Sequence, residues 1–346
     1  MTPLAKQIAI VVGSVVVLIA LIVGWNKFRS DSPAAADPAT AAVPAAAAAA
    51  EGASAPTGAA GGSTDAAERA PAPTPTPESA GNATNAMAQF DEGIKLMEAG
   101  KFFPARVALS SAVFSGALPA DKADHARKML TSMAERTLFA PGFFDDDPYV
   151  ARYEVKNGDV LQRIERNLKL HVPTELLLKI NNLSSDKLIR AGQSIKVIKG
   201  PFHAVISLSG YTMDLYLKRD NLPYIYIRRF TVGTGKEGAT PFGAYHVALG
   251  GKKIKPVWNP PPSSGRTGSI RYGEPNYAFG PKGLWIALEG TDPVTKTMSG
   301  YGIHSTNDPA SIGKSQSLGC IRMADADIDY VFLTLYEHWS SVLIKK

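Results

Sequence analysis

The feature that most limits how this chain can fold is a low-complexity stretch at residues 30–84, built mainly from Ala, Pro, Gly, Ser and Thr. It has few charges and no aromatic residue, so it cannot bury enough apolar surface to offset the entropy of ordering it. We therefore predict a disordered linker there, with a root-mean-square reach of roughly 40 Å. Subtraction of this stretch and everything before it leaves about 260 residues for packed domains.

An apolar run at residues 8–23 precedes the linker and is interrupted only by Gly13 and Ser14. About 18 helical residues with a rise of about 1.5 Å each span roughly 27 Å, which is close to the hydrocarbon thickness of a bilayer. Trp25 follows at an interfacial position. We predict that residues 1–29 form a cytoplasmic stub and a single-pass transmembrane signal-anchor. A cleaved signal peptide is the alternative, because small-residue sites follow from Ala34 onward.

The net charge and the distribution of basic residues narrow the classes of partner. The net charge of +6 favours anionic partners such as membrane surfaces, acidic polymers or nucleic acid. The basic residues are dispersed and form no block, which argues against nucleic acid.

Cys320 is the only cysteine, so no disulfide can form within the chain. A buried core thiol is the ordinary reading of a lone cysteine, but in an exported protein such a residue is exposed to oxidation.

Residues 85–140 have apolar side chains at helical spacing and predict a small all-α segment. Gly100 is expected to end its first helix, and residues 119–121 are expected to begin its third. The first two helices resemble one tetratricopeptide-type pair, which is too short to be a solenoid. We interpret the segment as a packing collar or a docking site for a protein partner. The acidic run at residues 145–147 is interpreted as a solvated turn, since Ca²⁺ loops space their ligands more widely.

Residues 151–199 predict a module with βααβ order. An alternating strand leads into a turn at Gly158 and Asp159, and two helices follow before Asn181 and a closing strand. This pattern resembles the lysin motif (LysM), whose members bind glycans that contain N-acetylglucosamine. The resemblance implies affinity for the glycan strands of peptidoglycan, with Gly158, Asp159 and Asn181 marking the candidate binding region. A spacer that binds no glycan is the alternative.

Alternating apolar residues predict β-strands through much of residues 202–288. Within this stretch, residues 250–283 are rich in Pro, Gly and aromatic side chains. Long loops of this kind in a domain tend to be functional lids. The aromatic residues of the predicted lid either line a substrate groove or pack the loop against its own body.

The reactive side chains are concentrated in residues 301–323. A thiol needs a base to ionise at neutral pH, and imidazole suits that task, so Cys320 is the candidate nucleophile and His304 its candidate base. Ser305 can orient the imidazole. Gly319 allows close backbone approach, and the amides of Gly319 and Cys320 are candidate donors to an oxyanion.

Two further features accompany the thiol. A helix that begins near residue 324 is expected to point its positive end at Cys320 and to lower the pKa of the thiol. Arg322 adds a cation that can hold a substrate carboxylate. A zinc site is the rival use of His304 and Cys320, but four ligands are normally needed and the chain has no second cysteine. We therefore expect no metal.

Four strings in this region resemble the L,D-transpeptidase catalytic domain, and the resemblance covers residues 202–346. They are Thr240-Pro241-x-Gly243 and residues 285–288, 302–304 and 317–323. The resemblance implies a mainly-β domain with a helix after the nucleophile and no cofactor. The chain departs from the family pattern at Leu318, where many members have His.

The resemblance further implies a reaction and a set of site residues. The cysteine forms a thioester with a tetrapeptide stem of peptidoglycan, releases D-Ala and passes the acyl group to an amine, for wall cross-linking or protein anchoring. Such an enzyme has its catalytic head on the periplasmic side of the inner membrane. An L,D-carboxypeptidase that uses the same cysteine and a non-catalytic peptidoglycan-binding scaffold are the alternatives. The implied catalytic residues are Cys320, His304, Ser305 and Gly319, and the implied substrate-binding residues are Arg322, Ser317, Tyr301 and Trp285.

Overall fold

The computed structural model describes residues 83–346. The predicted transmembrane segment and all but the last two residues of the predicted linker lie outside this range. Within it, no helix is both long enough and apolar enough to cross a bilayer.

Three helices open the described part of the chain, and their apolar faces pack together. Gly100 adopts a left-handed conformation with φ of 74° and ends the first helix, as the sequence predicts. Gly93 lies where the first two helices approach, and a Cβ there would stand 2.5 Å from Cγ of Leu109. The helices are α1 (Ala83–Glu98), α2 (Phe102–Phe114) and α3 (Ala120–Ala134), and α3 continues into a π-helical turn at Glu135–Phe139.

The next module has the predicted βααβ order. Its two strands are antiparallel, with Val150 opposite Ile198, and buried side chains of both helices share one apolar core with those of the strands. Its elements are β1 (Val150–Glu154), α4 (Leu161–Asn167), α5 (Thr174–Ile180) and β2 (Ser194–Ile198).

The remainder is mainly β, as expected. Its strands are β3 (Phe202–Ser207), β4 (Thr212–Leu217), β5 (Ile225–Thr231), β6 (Thr234–Gly235), β7 (Gly243–Ile254), β8 (Leu284–Gly290), β9 (Gly302–Ser305), β10 (Ser315–Ser317), β11 (Ile321–Met323) and β12 (Ser341–Lys345), and its helix is α6 (Asp325–Thr334). Eight of these strands form one sheet in the order β11-β9-β8-β7-β12-β3-β4-β5, while β6 and β10 form a separate parallel pair. Buried aliphatic and aromatic side chains from this sheet continue into those of the βααβ module.

The three-helix segment covers the free edge of the sheet at β5. The Thr131 hydroxyl donates to the carbonyl of Ile227 at 3.0 Å, and the amide of Tyr226 donates to the Ser110 hydroxyl at 2.9 Å. The ring of Phe114 packs against that of Tyr226 at a centroid distance of 6.2 Å. An exposed edge strand would offer unpaired backbone groups to other chains. These contacts support the packing-collar interpretation of the segment.

The solvated turn predicted at residues 145–147 is wrong for Asp147. This carboxylate is buried and accepts from Nη2 of Arg106 at 2.6 Å, while Nη1 of Arg106 donates to the Thr137 hydroxyl at 2.8 Å. Arg106 lies on the apolar face of α2, where a charge is costly unless it is paired. Asp145 and Asp146 are exposed, as expected.

A buried lysine joins the helical segment to the βααβ module. Nζ of Lys196 donates to the carbonyls of Thr137, Ala140 and Gly142 at 2.6, 2.7 and 2.8 Å. Burial lowers the pKa of Lys196 to about 8. These three acceptors lie at the end of the helical segment and just after it. The Lys196 ammonium therefore satisfies three backbone carbonyls with its three donors.

Candidate active site

Four side chains stand opposite one another across four neighbouring strands. Lys253 on β7 is paired with Trp285 on β8, Trp285 with His304 on β9, and His304 with Arg322 on β11. Directly paired residues project from the same face of a sheet, so all four face the same side. Together with Cys320 they line a cavity of about 410 Å³. We refer to Lys253, Trp285, His304 and Arg322 as the cross-strand row.

His304 is held in one tautomer. Its Nδ1 lies 2.6 Å from the carbonyl oxygen of Ser305, which can only accept, so Nδ1 carries the hydrogen and Nε2 does not. The rings of Trp285 and Phe279 flank the imidazole at centroid distances of 5.8 and 5.0 Å. Burial lowers the pKa of His304 to about 4. The ring is therefore a neutral base at neutral pH.

Ser305 contacts the imidazole through its backbone rather than through its hydroxyl. The hydroxyl instead donates to the carbonyl of Phe279 and accepts from the amide of Leu284 at 3.2 Å. Both partners lie close to the end of the predicted lid. The Ser305 side chain therefore joins the predicted lid to β9, while the Ser305 carbonyl orients the imidazole of His304.

Cys320 is partly exposed in the cavity, and its Sγ lies 3.7 Å from the carbonyl oxygen of Gly300. Removal of solvent by the surrounding protein raises the pKa of the thiol to about 11, against the opposing effects of the Gly302 amide and Arg322. The resting thiol is therefore protonated.

The predicted lowering of the thiol pKa by a helix dipole is wrong. Strand β11 lies between Cys320 and α6, and its three residues extend the chain by about 10 Å. Such an effect falls off within about one helical turn. Asp325 and Asp327 in the first turn of α6 also offset its positive end.

The backbone before Cys320, the candidate nucleophile, is tightly constrained. Gly319 has φ of 129°, and a Cβ there would lie 2.7 Å from a ring carbon of Tyr301 and 2.8 Å from the carbonyl of Ala239. The Ser317 hydroxyl accepts from the Gly319 amide at 3.0 Å and donates to the carbonyl of Cys320 at 2.6 Å. Of the two predicted oxyanion donors, Gly319 is thus already engaged. The Cys320 amide has no acceptor within residues 83–346.

Thr240 supports the same turn, a role that the sequence analysis missed. Its hydroxyl accepts from the Gly235 amide at 2.7 Å and donates to the carbonyl of Gly319 at 2.8 Å. Thr240 and Pro241 belong to one of the strings that resemble the L,D-transpeptidase family. Thr240 and Gly319 are 79 positions apart in the sequence, so no local pattern could predict the contact.

The lid aromatics fulfil both of the predicted roles. Trp258 and Phe279 line the cavity, whereas Tyr277 is buried and its hydroxyl donates to the carbonyl of Pro256 at 2.7 Å. Trp258 also exchanges two backbone hydrogen bonds with Ile270, each of 2.8 Å. The loop is thus held against its own body while it presents two rings to the cavity.

The predicted substrate-binding residues also surround this space. Tyr301, Trp285, Ser317 and Arg322 all line the cavity, and so does Leu318, whose side chain remains partly exposed. Nη1 of Arg322 lies 3.5 Å from Oδ2 of Asp308, so its charge is partly balanced. In the part of the chain that the structure describes, no group of three or more His, Cys, Asp or Glu side chains could hold a metal ion.

Lys253 was not identified from the sequence. Successive residues of a strand point to opposite faces, so Lys252 and Lys253 must diverge. Nζ of Lys252 donates to the carbonyls of Phe332 and Leu335 at 2.6 and 2.9 Å, whereas Lys253 faces the cavity. The alternation of side chains along a strand predicts that Lys252 and Lys253 face opposite sides of the sheet. Only the fold determines which of the two faces the cavity.

The predicted glycan-binding residues of the βααβ module lie in its turns. Gly158 has φ of 80°, and Asp159 accepts from the Tyr153 hydroxyl at 2.8 Å. The side chain of Asn181 accepts from the amide of Lys196 at 2.7 Å and donates to its carbonyl at 2.8 Å. Asn181 therefore joins α5 to β2, and sugar contact by any of the three remains a prediction.

Comparison with known proteins gives consistent matches for both modules. Residues 201–344 match the family model of the YkuD L,D-transpeptidase catalytic domain, and residues 153–197 match that of the LysM domain. The YkuD proteins of Bacillus licheniformis and Bacillus subtilis, both named as L,D-transpeptidases, are 31% and 30% identical over 185 and 184 residues. Each alignment covers 51% of this chain and 88% of the relative. A solved L,D-transpeptidase from Mycobacterium smegmatis is 17% identical, with a TM-score of 0.30, over 45% of this chain and 64% of that chain.

Proposed function

This chain belongs to the YkuD family of L,D-transpeptidase catalytic domains, and from that premise we propose that it is a peptidoglycan L,D-transpeptidase. It forms a thioester between Cys320 and a tetrapeptide stem, releases the terminal D-Ala and transfers the acyl group to an amine. One observation carries the proposal: the Cys320 thiol and the neutral imidazole of His304 line the same cavity.

In the acylation step, Sγ of Cys320 attacks the carbonyl carbon of the diamino acid that precedes D-Ala. The thiol is protonated and the imidazole is neutral at rest, so Nε2 of His304 takes the thiol proton as the C–S bond forms. The Cys320 amide donates to the oxyanion that develops. The proton then passes from His304 to the departing nitrogen of D-Ala, the C–N bond breaks, and the thioester remains.

In the second step, an amine attacks the thioester carbon. His304 takes a proton from the attacking nitrogen and returns it to Sγ as the C–S bond breaks, which restores the thiol. An amine from a second stem gives a cross-link, and an amine from a protein gives an anchored protein. If water attacks instead, the enzyme is an L,D-carboxypeptidase.

The LysM match supports a place for the enzyme on the wall itself. A glycan-binding module in the same chain would raise the local concentration of stems around Cys320. With the anchor proposed at residues 8–23 and the linker proposed at residues 30–84, the catalytic head would work on the periplasmic side of the inner membrane. Membrane retention of the full-length protein after carbonate extraction tests this placement.

The decisive experiment is product analysis with the full-length protein and a purified disaccharide-tetrapeptide. Mass spectrometry should detect a cross-linked dimer together with free D-Ala, and Cys320→Ala should yield neither. Loss of D-Ala without a dimer would identify the hydrolase.

A carbapenem should add one covalent mass to the wild-type protein and none to Cys320→Ala. Folded protein that forms neither adduct nor product would refute the nucleophile and leave a binding scaffold.

A further inference from the structure

We propose that Lys253 forms a subsite, on the opposite side of His304 from Arg322, for a free carboxylate on the stem peptide. This inference rests on the proposed function, because it names a chemical group that the same cavity selects. Carboxylates on such a stem have two sources, the terminal D-Ala and the side chain of the diamino acid. The position of Lys253 favours the side-chain carboxylate.

The first observation is that the Lys253 ammonium is unengaged. Its two lysine neighbours have partners: Nζ of Lys252 donates to two backbone carbonyls, and Nζ of Lys255 lies 4.3 Å from the ring centroid of Tyr272. Lys253 is exposed and has no ion pair or side-chain hydrogen bond with any residue between 83 and 346. A strongly hydrated point charge on a flexible stem can reorganise readily around an incoming anion.

The second observation is the charge of the cavity. Its lining includes two cations, Lys253 and Arg322, and within the described chain no Asp or Glu lines it. Asp308 balances Arg322 in part from outside the lining, at 3.5 Å. Lys253 therefore supplies the uncompensated positive charge, and an anionic group on the substrate is its electrostatic complement.

The third observation is the order of residues in the cross-strand row. Neighbouring strands are about 4.8 Å apart, which places the backbone of Lys253 roughly 10 Å from His304 and roughly 14 Å from Arg322. His304 marks the reacting carbonyl, and Arg322 is its immediate neighbour on β11. The terminal carboxylate is close to the scissile bond, so Arg322 is the nearer cation. Trp285 separates Lys253 from the base. A group that reaches Lys253 must therefore extend sideways along the row, as a diamino acid side chain does.

The test compares stems that differ only in one carboxylate. One stem has the side-chain carboxylate free, a second has it amidated, and a third has only the terminal carboxylate amidated. Initial rates of release of the terminal residue are measured with the full-length wild type, Lys253→Gln and Lys296→Gln. Lys296 is an exposed lysine that does not line the cavity, so its loss controls for net charge.

The wild type should prefer the free side-chain acid over its amide by about five- to tenfold in kcat/KM, as expected for one charge-assisted contact near solvent. Lys253→Gln should bring that ratio close to one by lowering kcat/KM for the free side-chain acid, and Lys296→Gln should preserve the wild-type ratio. The wild type and Lys253→Gln, each measured with the free and the amidated side chain, give four rates. Together these rates isolate the interaction between Lys253 and the side-chain carboxylate.

Three results would overturn the inference. A preference that survives Lys253→Gln would remove Lys253 from recognition and leave the transpeptidase intact. If amidation of the terminal carboxylate lowered kcat/KM and amidation of the side-chain carboxylate did not, the subsite would hold the carboxylate of D-Ala. That result would refute the side-chain assignment. If the wild type turned over no stem at all, the proposed function would fail, and the subsite would fail with it.

Discussion

Nδ1 of His304 donates to the backbone carbonyl of Ser305 at 2.6 Å, which leaves Nε2 as the basic nitrogen of the ring. Burial lowers the pKa of His304 to about 4 and raises that of the Cys320 thiol to about 11. The resting pair is therefore a neutral imidazole and a neutral thiol rather than an ion pair. In the proposed mechanism, the proton moves from the thiol to the imidazole only as the thiol attacks, when the new bond to substrate compensates for the charges that form.

Alkylation of Cys320 should show a raised pKa. Iodoacetamide reacts with the thiolate, and a raised pKa means less thiolate at any pH below it. We expect the alkylation rate to rise through pH 9 and to inflect near 11. The same protein in urea serves as the control and should inflect at about 8.5. An inflection of the folded protein below that of the unfolded one would show an activated thiolate instead. Stopped reactions analysed by intact mass measure the rate.

Gly319→Ala should abolish most activity while leaving the fold intact. The added methyl group would meet the Tyr301 ring and the Ala239 carbonyl below 3 Å, so the nucleophile turn must shift. A displacement of about 1 Å in a reacting group can cost on the order of 100-fold in rate. Gly313→Ala is the matched control, since Gly313 has φ of 78° but ample room, its closest contact being 3.6 Å. Equal stem turnover by both variants would contradict the steric argument.

Asp147→Ala should destabilise the protein strongly, because it leaves the Arg106 guanidinium buried without a counter-ion. Breaking such a pair typically costs about 3 to 5 kcal/mol of unfolding free energy. Addition of Arg106→Met should recover part of this loss by removing the stranded charge. Asp124→Ala breaks the more exposed Arg127–Asp124 pair and should cost no more than about 1 kcal/mol. Urea denaturation measures all four proteins, and equal losses for Asp147→Ala and Asp124→Ala would contradict the role of burial.

Sequence alone was enough for the order of the modules within residues 83–346. The βααβ pattern of residues 151–199, the helix stop at Gly100 and the mainly-β character after residue 202 are all present in the structure. Each depends on hydrophobic period and turn chemistry within a few residues, which are local properties of the chain. The proposed nucleophile and base could be named for the same reason, since Cys320 and His304 lie in short, distinctive strings.

Only the tertiary structure decided how those groups behave and what surrounds them. Strand register places Lys253 in the cross-strand row, 51 residues from His304 along the sequence. Burial of Asp147 and the raised pKa of Cys320 likewise depend on everything packed around them. Periodicity shows that a strand has two faces, but not which strands lie beside it or how much water they exclude. Register and desolvation are collective properties of the folded chain, and they determine the chemistry of this site.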